Sequence, residues 1–224
     1  MVRTDPLAAD ADVDVTVERT ALALECEDVR AIATAVFEHV GDDVAHQYGH
    51  EVAVVTALRV ATDRGSDRVL DLERACTVVG VDPRDVASAE AMVSTELGPP
   101  AADEEQRSLR RAIIAVHELL AAVETDRTNA PRLPLSVLAD VGPALAGVAT
   151  RPLEEIDETE LRAHLDCLEA DLEMARLGVH LYALTVEERV RVERKAETET
   201  ETTVETEREG DPAPRDDLEH DPTR

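Results

Sequence analysis

The sequence predicts an all-α protein, and three observations carry that prediction. From Asp28 to Val186, apolar residues recur mostly at helical spacing rather than in alternation. Glycine and proline fall between these stretches, at Gly65, Gly80 and Gly98-Pro99-Pro100, where helices should end. Aromatic residues are almost absent: Phe37, Tyr48 and Tyr182 are the whole set, with no Trp. The core must therefore be built from Ala, Val, Leu and Ile, small pieces that suit closely packed helices. A chain of 224 residues allows one domain of ordinary size with extensions, or two small ones.

The elements follow in order. Residues 1–11 read as a flexible leader. In "DVDVTVERTALALE", Val13, Val15 and Val17 alternate with polar residues, the period of a short strand, and Leu22 and Leu24 either continue it or open a helix. In "DVRAIATAVFEHV" the period turns helical, with Val29, Ile32, Ala33, Val36, Phe37 and Val40 on one face and Gly41 as the expected stop. A second helix is expected from Val44 to Gly65. Its stretch Val52–Val60 is apolar nearly all round, as a buried central helix should be. A third runs from Leu70 to Val79 and stops at Gly80; a fourth runs from Pro83 to about Leu97.

Beyond Pro100, "DEEQRSLRRAIIAVHELLAAVE" is an amphipathic helix to about Glu124. "TDRTNAPRLP" reads as a loop, and "LSVLADVGPALAGVA" as short helices. A long helix then carries Leu161, Leu165, Leu168, Leu172, Ala175, Val179, Tyr182 and Val186 in 4-3 spacing, a heptad seam. Leu177, Leu181 and Leu184 add a second stripe that calls for burial on two sides, and Gly178 marks a bend or a close approach. The seam packs either on the 104–124 helix of the same chain or on a second copy. The expected organisation is a leader (1–11), a helical N-terminal module (12–98), a helical hairpin (101–194) and a low-complexity acidic tail (195–224), too poor in apolar residues to offset chain entropy and so expected to be disordered.

Charge is the strongest compositional signal. There are 50 acidic residues against 23 basic ones, a formal charge of −27, and among the basic residues only Lys195 is lysine. Such acidic chains with Arg in place of Lys resemble the proteins of salt-loving archaea. In an ordinary cytosol this charge would argue against a nucleic-acid partner; as a solvent adaptation it argues much less. The scarcity of aromatics disfavours single-strand stacking platforms. Cys26, Cys76 and Cys167 are odd in number, far apart and in no C-x-x-C pair, a reduced intracellular pattern. Cys76 and Cys167 fall on apolar helix faces, where cysteine is usually a small core residue. The start "MVRTDPLAAD" has no apolar signal region and no run is long enough to span a membrane, so a cytoplasmic location is expected.

The stretch "LERACTVVGVDPRDVASAEAMV" has the layout of a helix-turn-helix, with Cys76, Gly80 and Val86 at the small, turn and aliphatic positions. Asp82 is a natural N-cap, Pro83 suits the first helical position and Asp85 stands where a capping-box acid would. Arg84 and Ser88 are the contact candidates there, but Asp85 would repel phosphate. Together with its flanks, from about Asp28 to Gly98 and closing on "ELG", the stretch resembles a cyclin-type repeat of archaeal transcription initiation factor B. The resemblance implies a five-helix module that docks on DNA or on another protein. The sequence departs from that family in lacking a zinc-ribbon pattern and an evident second repeat, and in offering one basic residue on the recognition helix. Partner docking survives these departures better than promoter reading.

Other constellations say less. His46 and His50 are four apart, so on one continuous helix they and the nearby His39 would give a metal candidate; solvated helix-end histidines are the plainer reading, and no cofactor is expected. Paired carboxylates are what an acidic surface supplies by chance. No phosphate loop, no G-x-S-x-G and no nucleophile pattern is present. Arg110 and Arg111, further candidates for contact with DNA or a partner, form the one dense basic spot outside "ERVRVERK", which reads as a salt-bridged helix end. The expectation is a non-catalytic interaction protein with a protein partner, linked to transcription or DNA through a cyclin-like module. The rival is a helical adaptor or oligomeric structural protein, such as a homodimer, with no link to DNA, and a third reading is an enzyme or metalloprotein using the His39–His50 cluster.

Overall fold

The computed structural model describes residues 15–124 and 157–209, with side chains as far as 194. Eight α-helices and one short 3-10 turn account for nearly all of these residues, and no strand occurs among them. The leader, the 125–134 loop, the short helices expected near Gly142 and Gly147, and residues 210–224 lie outside the described residues.

Helix α1 (Val17–Ala23) replaces the expected strand from Val17 onward. Thr16 caps it, its hydroxyl accepting from the Arg19 amide. The buried positions are Val17, Thr20, Ala21 and Leu24, three and four apart, while Leu22 is 63% exposed. Only one helical face satisfies that set; alternation would have paired Leu22 with Leu24. Val13 lies outside the described residues.

A 3-10 turn (Glu27–Val29) leads into α2 (Arg30–Tyr48). The helix does not stop at Gly41, as its sequence suggested. Gly41 is buried within it, and a Cβ there would come 3.0 Å from Phe37 Cδ2, so the glycine makes room for the ring lying on it. The break comes at Gly49, whose φ of 102° only glycine adopts without strain. Helix α3 (His50–Gly65) follows and is the most buried helix of its core: Val52–Leu58 are all buried, as are Val60 and Ala61.

Asp71 caps α4 (Leu72–Val79), accepting from the Arg74 amide, which moves the start two residues beyond the expected Leu70. Helix α5 (Pro83–Leu97) has the bounds its sequence implies. Helices α1 to α5 enclose one core, to which Leu177 and Leu181 also contribute. A fully buried Leu or Val stabilises by roughly 1.5–3 kcal/mol, so α3, with Val54, Val55 and Leu58 fully buried, does most to hold this module.

Helix α6 (Asp103–Glu124) and helix α7 (Glu158–Leu177) form the hairpin. Leu161 is buried against Ala112, Ala115, Val116, Leu119 and Leu120, with Leu165 and Leu168 half-buried beside them. The first half of the heptad seam is thus packed inside the chain. The seam does not run on as one helix: Gly178, at φ 82°, separates α7 from α8 (Val179–Glu209). Across this break Val179 is 73% exposed, whereas Leu177, Leu181 and Tyr182 pack on the first core. The bend serves the second stripe, and of the heptad beyond it Tyr182 packs on the same core. The chain divides into two units, Met1–Val186 and Glu187–Arg224. In the second, the backbone stays helical to Glu209, into the stretch whose composition predicted disorder.

Candidate functional site

The helix-turn-helix corner forms as its residues dictate. Gly80 adopts a left-handed conformation (φ 85°, ψ 34°), and the Gly80 and Val81 amides both donate to the Cys76 carbonyl, closing α4. Asp82 then caps α5 by accepting from the Arg84 amide at 2.8 Å. Cys76, Val86, Ala89 and Val93 are buried, so the inner faces of both helices are committed to the core. Arg59 of α3 braces the corner, donating to the Leu70 carbonyl at 2.9 Å and standing 3.9 Å from Glu90 of α5.

What α5 offers outward is modest. Arg84 is exposed, flanked by exposed Asp82 and Asp85, and the Ser88 hydroxyl is spent on the Arg84 carbonyl. Arg110 and Arg111 sit on another helix, α6, and are engaged there: Arg110 lies 4.0 Å from Asp67, and Arg111 meets Glu104 at 3.4 Å and the Arg107 carbonyl. The basic candidates therefore do not converge on one exposed patch of free cations.

The histidines do not converge either. The break at Gly49 puts His46 on α2 and His50 on α3, removing the shared face that chelation needed. His50 Nε2 is 2.8 Å from the Val15 carbonyl, and its ring stands edge-on to Phe37. His39 stacks edge-on with His180 at 4.7 Å, tying α2 to the first turn of α8. Among the described residues no three His, Cys, Asp or Glu side chains are grouped to hold a metal. Burial pushes the Cys26 and Cys76 thiols above their ordinary value, with Asp28 and Glu27 adding to the rise at Cys26 and Asp82 at Cys76. Cys167, expected in the core, is exposed on α7.

The junction of the module and the hairpin was not read from the sequence. Arg64, in the last turn of α3, is only 7% exposed and donates to the Leu177 carbonyl at 2.9 Å, closing the end of α7. The Ala101 amide donates to the Ala175 carbonyl, so the Gly98–Ala101 segment passes beneath the same helix end. A signal was present: Arg59 and Arg64 follow the apolar run Val52–Leu58 on the most buried helix, and a buried arginine needs an acceptor. Its partner, a backbone carbonyl 113 residues on, leaves no trace in the sequence.

Set against known protein families, curated proteins and solved structures, the chain matches none of them.

Proposed function

We propose that this chain is a non-catalytic interaction protein of the cytoplasm of a salt-loving archaeon, working in transcription or another DNA transaction by docking a cyclin-like module on a partner protein. The observation that carries this reading is α3, buried almost all round by α1, α2, α4 and α5, with a capped α4–Gly80–α5 corner on its flank. That is the arrangement the resemblance to a cyclin-type repeat implies. The outer face of α5 favours a protein partner over direct base reading, because Arg84 stands between two aspartates that phosphate would meet. No helix among the described residues is long and apolar enough to cross a membrane.

Affinity capture at native salt, with immunodetection of RNA polymerase and basal initiation factors, tests the reading. Their recovery, reduced by Arg84→Glu, supports it; their absence sinks it. Duplex DNA that the purified chain binds in about 2 M KCl, where non-specific phosphate contacts are screened, would replace partner docking by direct reading.

A second reading, an adaptor or homo-oligomer unrelated to DNA, draws on Val190 and Val192, 44% and 56% exposed on the helical second unit. Light scattering at native salt divides it: a dimer that Val190→Asp dissolves favours the homo-oligomer, and a monomer leaves only the adaptor.

A further inference from the structure

We propose that the cleft between the end of α3 and the α6–α7 hairpin is a binding site for a small aliphatic monocarboxylate, with Arg64 as its anchor. The cleft has a volume of about 350 Å³, within the range that small ligands use. It is separate from the α4–α5 corner and does not depend on the function proposed there.

Three observations point to such a ligand. Arg64 lines the cleft at 7% exposure, and among the described residues it forms no ion pair. Its one hydrogen bond, to the Leu177 carbonyl, uses one of the five N–H donors of a guanidinium. None of its nitrogens is both buried and without a partner, so the remaining donors open onto the cleft, and a planar fork of donors is shaped for a carboxylate. Burial also pushes the guanidinium below its ordinary value, with the neighbouring Asp63 only opposing that fall.

The second observation is the wall. Ile32, Ile113 and Leu172 line the cleft, so the ligand's body is apolar. The third is the rim. Arg176 lines it too, but its charge is shared with Asp67 at 3.3 Å, and Glu169 and Glu173 also face the opening. These carboxylates disfavour a dianion or a phosphate and leave room for one negative charge held deep, at Arg64.

The test titrates isovalerate into the full-length chain in about 2 M KCl, where long-range attraction to charge is screened away, and follows backbone amides and the Arg64 side-chain N–H by NMR. Saturable shifts confined to Arg64, Gly65, Ile113 and Leu172 are expected, with none for isoamyl alcohol, which has the same body and no charge, and much weaker ones for the dianion isopropylmalonate. Arg64→Gln should weaken binding by about tenfold or more, as loss of a charged hydrogen-bond partner does. Because Arg64 also holds α7, Leu172→Trp serves as a second variant: Leu172 is half-buried, and the larger ring narrows the cleft without touching the arginine. It should keep the helical spectrum and lose binding. No saturable shift with isovalerate, equal shifts with the alcohol, or undiminished binding by Leu172→Trp overturns the proposal.

Discussion

Gly178 holds a left-handed φ of 82°, and a Cβ there would sit 3.0 Å from the Pro99 carbonyl oxygen and 3.6 Å from Arg64 Nη1. Both the conformation and the space exclude a side chain. Gly178→Ala should therefore destabilise the chain by about 1–3 kcal/mol, measured by urea denaturation. An unchanged midpoint would mean that the junction relaxes freely. The thiols allow a prediction with a sign. Cys26 and Cys76 are raised by burial, so the folded state keeps its protons to higher pH than the unfolded chain does. Their contribution to stability is full below the ordinary thiol value of about 8.5 and is lost as pH climbs through and above it. The melting temperature should fall more steeply above that pH in the native chain than in Cys26→Ala/Cys76→Ala. Exposed Cys167 should react with a thiol reagent at once, and the two buried thiols only on unfolding.

At the scale of elements, the hairpin is held by one small core, with Leu161 3% exposed against α6 and Leu119 1% exposed opposite it. Leu161→Ala should cost about 2–5 kcal/mol and, because the seam is filled from within the chain, should leave the sedimentation coefficient of the folded fraction unchanged. A change in oligomeric state instead would assign the seam to a second copy. The helices themselves were legible where a cap and an apolar face agreed: Asp82, Pro83 and the buried Val86, Ala89 and Val93 define α5 to the residue. They were illegible where one signal stood alone. The alternation of Val13, Val15 and Val17 is too short to outweigh the Thr16 cap and the buried set at helical spacing that follow it. Gly41 and Gly49 look equally able to end a helix, and only the Phe37 ring, packed on the first, decides that the second does so. The heptad misled for a similar reason. Leu161 to Leu168 and Leu177 to Leu184 face different cores, and the local sequence does not reveal that the chain bends at Gly178 to satisfy both. The candidate site was half legible. The α4–α5 corner came from spacing, whereas the Arg64 cleft depends on contacts between residues more than a hundred positions apart.

For the whole molecule, the governing quantity is charge. With 50 acids and 23 bases, 27 acidic side chains would lack a basic partner even if every Arg and Lys were paired. The ion pairs that do form are mostly exposed, as between Arg107 and Glu104 at 3.0 Å or Arg162 and Glu124 at 3.0 Å. Each contributes about 0–1 kcal/mol and weakens with salt. Added salt thus acts in two directions: it removes a little attraction at these pairs and a larger repulsion among the unpaired acids. Because the excess is so large, repulsion should win, and the melting temperature should rise from about 0.1 M to 3 M KCl. The shape of the rise is as informative as its sign. The screening length is already near 3 Å at about 1 M, so a rise due to screening alone should flatten by then. A rise that continues to about 3 M would assign the remainder to the salt's effect on hydration of the surface rather than to Coulomb forces. A melting temperature unchanged across the whole range would remove the halophilic reading, and with it the reason for discounting the acidity as an argument against a nucleic-acid partner.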